Sequence, residues 1–342
     1  MRILVAIDSF KGCLSSSEAA QAVVEGLDGQ ECTVLPVSDG GEGFASVLTC
    51  ALGGRTVRTL AHDPLGRGIE AAYGLAGDTA LIESAAASGL TLMEPEERDP
   101  LRADSRGTGE LIADAIRRGA RTIYVGFGGT GTNDGGAGML EALQEVRDLW
   151  PECKFVGLCD VTAPFCGPEG ASAVYGPQKG ARAEDIPILD ARLEDLAGQY
   201  VKVLGRDVLT KAGSGAAGGM AGALWAVLGG ELRSGADAVL DILHFEDEMR
   251  GVDMVVTGEG RIDAQTLQGK LPAVVARRAR ACSPSVSIAA LGGSVVLEDS
   301  RGLFDRVIAV TPPGTPLSTA LDPDFARRAL ASAAGRLVRD NH

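Results

Sequence analysis

Short apolar runs that stop at an acidic or glycine-rich loop, followed by helical periodicity, occur towards both ends of this chain. They constrain its fold more than any other feature. RILVAI (2–7) stops at Asp8-Ser9-Phe10-Lys11-Gly12, and CTVLPV (32–37) stops at Ser38-Asp39-Gly40-Gly41. Between them SSSEAAQAVVEGL (15–27) reads as a helix, with Ser15 as N-cap and Glu18 three residues on, a capping box. The same style returns in runs at 253–257, 286–290 and 306–310, with helices at PAVVARRARA and from about 323 to 339. Such alternation builds a parallel sheet with helices on its faces.

The middle of the chain departs from that pattern. VRTLAHDPLGR (57–67), IEAAYGL (69–75) and TALIES (79–84), with a Gly77-Asp78 turn, read as antiparallel strands. Helix 109–118, strand 121–127, helix 137–146 and strand 154–160 follow, and 184–204 and 216–250 read as mostly helical. The expectation is an α/β protein: a flavodoxin-like parallel-sheet domain, 1–59 and 249–342, interrupted by a second, inserted α/β domain, 60–248. Ligands of such sheets bind beyond the carboxyl ends of the strands, where Asp8, Asp39 and Glu259 would sit. The active site is expected in the cleft between the two domains.

Composition excludes several classes of function. The 342 residues carry a net charge of −14 without a Lys/Arg block, which argues against nucleic acid and against an anionic membrane as partners. Three histidines make no zinc cluster, and seven scattered cysteines without a CxxC read as reduced thiols. The opening apolar run meets Asp8 too early for a signal peptide, and the uncharged stretch 212–230 is cut by glycines, so it reads as a loop feeding a buried helix. A cytoplasmic monomer or homodimer is expected.

Glycine is the abundant residue, 47 in all, about twice the usual share of ~7%. Four segments concentrate it: 39–43, 126–138, 213–219 and 257–263. Glycine lets backbone N–H groups approach phosphate oxygens, and a helix start adds a favourable dipole. Both Gly126-x-Gly128-x-x-Gly131 and Gly213-x-Gly215-x-x-Gly218 match the dinucleotide pattern, which makes an NAD(P)-binding oxidoreductase the alternative reading. No Walker P-loop, protein-kinase signature or nucleophile elbow occurs. The remaining inventory in or beside the glycine loops is Lys11, Asp39, Glu42, Asp134, Lys179, Glu259, Arg261, Asp263 and Lys270. Phosphoryl transfer needs this mixture: carboxylates for metal or for the acceptor proton, cations for the transferring group, amides for the phosphates.

With these motifs in place, the chain resembles the type I (bacterial) glycerate kinases. The matching segments include AIDSFKGCLSSSEAA (6–20), PVSDGGEGF (36–44), GTGELI (107–112), GGTGTNDGGAGML (128–140), YGPQKGA (175–181), GSGAAGGMAGAL (213–224) and TGEGRIDAQTLQGKLP (257–272). Cys13, Ser38 and Thr130-Gly131 are small-for-small departures, and no catalytic role is carried onto Arg106. The resemblance implies ATP- and Mg²⁺-dependent phosphorylation of D-glycerate, expected at the 2-hydroxyl with the 3-hydroxyl as alternative. It also implies an inserted domain similar to restriction endonucleases. On this footing Asp39 is the candidate base and Asp134 the alternative, while Lys11 is expected on a phosphate or the glycerate carboxylate. Glu259 and Asp263 are the candidate metal contacts, and Ser9 and Arg261 the candidate substrate contacts. Gly40, Gly41, Gly128, Gly129, Thr130, Asn133, Gly135, Gly215 and Lys270 are the candidate nucleotide or phosphate contacts.

Overall fold

A computed structural model describes residues 1–41, 43–297 and 299–339, so the candidate Glu42 and the terminal His342 lie outside the described residues. The strands in chain order are β1 (Arg2–Ile7), β2 (Glu31–Val34), β3 (Arg55–His62), β4 (Gly68–Ala76), β5 (Thr79–Glu83) and β6 (Thr122–Gly126). After them come β7 (Lys154–Leu158), β8 (Glu231–Arg233), β9 (Met254–Ile262), β10 (Ser287–Val295) and β11 (Arg306–Ala309). They form two sheets in two compact units, Met1–Asp39 with Ala236–His342, and Gly40–Gly235.

Unit 1 holds a five-stranded sheet in the order β11-β10-β9-β1-β2, every pair parallel. Counted within the unit, that is the 2-1-3-4-5 order of flavodoxin-like folds. Apolar side chains of β1 alternate between two cores, Ile3, Val5 and Ile7 in one, Leu4 and Ala6 in the other. Both faces of the sheet are therefore covered, as continuous apolar strands require. The helix Ser16–Gly26 starts at the expected capping box: the Ser15 hydroxyl accepts from the Glu18 N–H, and the Glu18 carboxylate accepts from the Ser15 N–H at 3.0 Å.

Unit 2 holds the six-stranded order β3-β4-β5-β6-β7-β8. β3, β4 and β5 are antiparallel neighbours, as their alternation and turns predict, and β5 to β8 run parallel. β8 falls in a stretch that reads as helical from the sequence. Three residues are too few to show a period of two, and flanking helices mask them.

The units meet along the chain at 39/40 and 235/236, not at 59/60 and 248/249. The helix Phe44–Ala51 explains the first difference. It packs on β4, where a Cβ at Gly74 would strike the Thr49 hydroxyl, and its Ala45 N–H donates to Glu83 at 3.0 Å. Ala236, Leu240, Phe245 and Met249 explain the second, because they join Leu4 and Val255 in a unit 1 core. At the two ends of unit 2 the backbones touch: a Cβ on Gly40 (φ +83°) would lie 2.7 Å from Gly235 Cα. Among the described residues, no helix is long and apolar enough to cross a membrane.

Candidate active site

In unit 1 the candidates gather at the carboxyl ends of β1 and β9. β1 delivers Asp8, nearly buried, whose Oδ1 accepts the Ser9 N–H at 2.7 Å. Phe10 and Leu14 then exchange backbone hydrogen bonds, so the intervening turn projects Lys11 and Gly12 into solvent. Gly260 of β9 faces this turn, its missing Cβ 3.7 Å from the Lys11 nitrogen.

The segment 257–263 reads as a loop in the sequence but is strand through Ile262, paired with β10 as far as Val295. The reason is space. A Cβ on Gly258 would sit 2.1 Å from the Leu291 carbonyl, so glycine here serves strand packing. Glu259 and Arg261, two residues apart, consequently share one face of the strand.

Thr266 links the Glu259 carboxylate to the Asp263 backbone. Its hydroxyl donates to Glu259 Oε1 at 2.6 Å and accepts from the Asp263 N–H at 3.0 Å. Glu259 also faces the Lys270 ammonium at 3.5 Å, and Asp263 pairs with Arg261 at 3.1 Å. Burial pushes the Glu259 carboxyl above its ordinary range, against the opposing pull of the Thr266 hydroxyl and Lys270. Asp39 is exposed and lies five residues beyond the end of β2, so it does not terminate that strand as the sequence suggests.

In unit 2 two glycine turns adjoin. A Cβ on Gly128 would lie 3.6 Å from Gly41, and one on Gly126 would strike the Gly40 carbonyl and the Phe44 ring. Gly128 and Gly129 are exposed, which leaves a surface lined by backbone. The residues that follow them turn inward. Thr130 bridges to Gly89, the Asn133 amide donates to the Ser172 hydroxyl at 2.9 Å, and both side chains are buried.

Three candidates need correction. Gly215 is buried, its N–H donates to the Ala163 carbonyl, and a Cβ would strike the Pro164 carbonyl. Gly135 is buried likewise, with its N–H on the Gly218 carbonyl and its Cα against Gly219. Both glycines let one backbone approach another and offer phosphate nothing. Asp134 accepts four hydrogen bonds, from the Ser105 N–H (2.9 Å), the Ser105 hydroxyl (2.7 Å), the Gly136 N–H (3.0 Å) and the Gly138 N–H (3.0 Å). A carboxylate so occupied clamps the starts of the helices Arg106–Arg117 and Ala137–Leu143, with both oxygens engaged by donors.

The dinucleotide reading fails on the same loop. Its helix opens at Ala137, six residues past Gly131, whose N–H is already bound to the Ser88 carbonyl. Arg106 pairs with Glu110 and Glu141, a structural use.

Residues outside the sequence-based set also matter. Thr266 carries a signal, a hydroxyl three residues after Asp263, typical of side-chain-to-backbone turns. Asp104 carries none. It lines a concavity of about 380 Å³ with Arg102, Asn133, Asp134, Arg192 and Gln199, and burial raises its carboxyl pKa.

The chain matches the glycerate kinase family over residues 3–147 and 143–341. It belongs to that family. Among glycerate kinases, the Escherichia coli K12 protein named glycerate 2-kinase is 43% identical over 314 residues, 82% of each chain. The Bacillus subtilis 168 glycerate kinase is 39% identical over 359 residues, 94% of this chain and 93% of that one. A crystal structure assigned as glycerate kinase 2 from Salmonella typhimurium LT2 superposes with a TM-score of 0.87 at 39% identity, covering 100% of this chain and 98% of that one. A glycerate kinase is an enzyme that takes ATP as phosphoryl donor.

The family implies a divalent ion, and the donors here suit one in part. Glu259 and Asp263 present hard carboxylate oxygens, but no group of three His, Cys, Asp or Glu side chains forms a cage among the described residues. One or two carboxylates can hold Mg²⁺ alongside substrate phosphates and water, and here each of the two already faces a cation, Lys270 for Glu259 and Arg261 for Asp263.

Proposed function

We propose that this glycerate kinase transfers the terminal phosphoryl group of ATP to the 2-hydroxyl of D-glycerate, giving 2-phospho-D-glycerate and ADP. The observation that carries the reading is the match along the whole chain to glycerate kinases, with a 2-kinase at 43% identity among them. Mg²⁺, bound through Glu259 and Asp263, would offset charge on the phosphates. Asp39, exposed and next to Gly40, takes the proton of the attacking hydroxyl. The hydroxyl oxygen bonds to the terminal phosphorus as the bond to the bridging oxygen breaks, and that electron pair leaves on ADP. Lys11, projected from its turn, meets the phosphate or carboxylate charge. Gly41, Gly128 and Gly129 present backbone to the reactants, and Ser9 and Arg261 are the proposed contacts to glycerate.

ADP release across a panel of short hydroxy acids, with and without Mg²⁺, tests the reading. D-glycerate should be the best acceptor, and better turnover of a hexose or nucleoside would sink it. Phosphorus NMR of the product decides the position, and 3-phosphoglycerate would overturn the regiochemistry alone.

A further inference from the structure

Lys179, in the short turn Pro177–Lys179 of unit 2, is only 2% exposed. A buried ammonium is costly without partners, and this one has few. Nζ donates to the Thr132 carbonyl at 2.7 Å and reaches the Thr130 hydroxyl only at 3.5 Å. Burial pulls its pKa down to about 8, against the field of Asp134.

Unsatisfied groups collect in the segments that meet here. Five buried side-chain atoms lack a hydrogen-bond partner among the described residues, and three of them are Arg98 Nε, Thr132 Oγ1 and Asn133 Oδ1. Thr132 supplies the carbonyl that Lys179 holds, and Asn133 follows it. Arg98 packs against Gly180, where an added Cβ would come within 2.4 Å of the Arg98 carbonyl and 2.9 Å of its Cβ. An apolar side chain of the same length would avoid the cost of burying the charge. Local rules broken together at one place mark a functional site more often than a packing site.

We infer that Lys179 is a positioning residue for the glycine loop: it pins the Thr132 carbonyl from within and sets a positive charge behind the segment whose exposed edge, Gly128–Gly129, meets the oxyanions of the reactants. The inference rests on the phosphoryl-transfer reading of that loop. Lys179 takes part in no covalent step, because its nitrogen is enclosed.

The test compares wild type with Lys179→Met and Lys179→Gln. Met fills the volume without charge or donor, and Gln can still donate to the Thr132 carbonyl. In Lys179→Met kcat should fall by about 10²-fold, the size of a misplacement effect. KM for ATP and for D-glycerate should stay within about threefold, as expected when the lost interaction acts in the transition state. Gln should recover part of kcat. Wild-type kcat in Lys179→Met overturns the inference, and so do equal losses of kcat and melting temperature in both variants. If wild type turns over no hydroxy acid, the kinase reading fails and the inference, which rests on it, falls with it; wild-type kcat in Lys179→Met beside an active wild type ends the inference alone.

Discussion

Asp39 and Asp134 are both acids beside glycine pairs, yet they differ in exposure. Asp134 holds four donors, so Asp134→Asn would turn an amide N–H towards other N–H groups. It should cost about 1–2 kcal/mol of stability, the penalty of a mismatched half-buried donor, read as a lowered urea midpoint. Asp39 is exposed, and as the proposed base its replacement in Asp39→Asn should lower kcat by about 10²–10⁴-fold. Loss of ATP affinity with kcat preserved would remove Asp39 from the role of base.

Lys179 adds a prediction whose sign follows from linkage. Its pKa falls from 10.5 unfolded to about 8 folded. Below pH 8 both states are protonated, and folding is disfavoured by about 3 kcal/mol, a penalty relieved as pH rises from about 8 to 10.5. Lys179→Met should therefore be at least as stable as wild type at pH 7, with the difference shrinking by pH 10. Urea midpoints at the two pH values measure this, and a variant less stable at pH 7 but not at pH 10 would contradict it.

At the scale of elements, what the sequence discloses depends on whether a residue's task is local. The Ser15–Glu18 box is legible because both its bonds close within four residues, and Ser15→Ala should cost about 1 kcal/mol by chemical denaturation. The apolar runs of β1, β9 and β10 are legible because a doubly covered sheet demands them. The glycines are not. A backbone that must approach a phosphate and one that must approach another backbone both require the absence of Cβ, and sequence alone cannot separate Gly128 from Gly215 or Gly258. Exposure separates them. Gly258→Ala, facing the Leu291 carbonyl across two strands, should destabilise by more than about 2 kcal/mol or abolish folding. Gly128→Ala meets only an ordinary contact at 3.6 Å and should fold normally, so any loss there reads out as activity.

For the whole molecule, each unit owns its cores. Unit 2 packs one large cluster from Val57 to Ala226, and unit 1 packs one on either face of its sheet. Cores that share no residues are the condition for separate folding. A chain comprising residues 40–235 should accordingly give a cooperative melt with antiparallel and parallel β content, and a non-cooperative melt would show that it needs the rest.

The meeting of Gly40 with Gly235 carries this further. A segment whose two ends touch can be spliced into or out of a host without stretching either partner, because the host only has to bridge the gap between neighbouring residues. Joining Asp39 to Ala236 through a few small residues should leave an uninterrupted five-stranded flavodoxin-like protein, and the same junction should accept a different module.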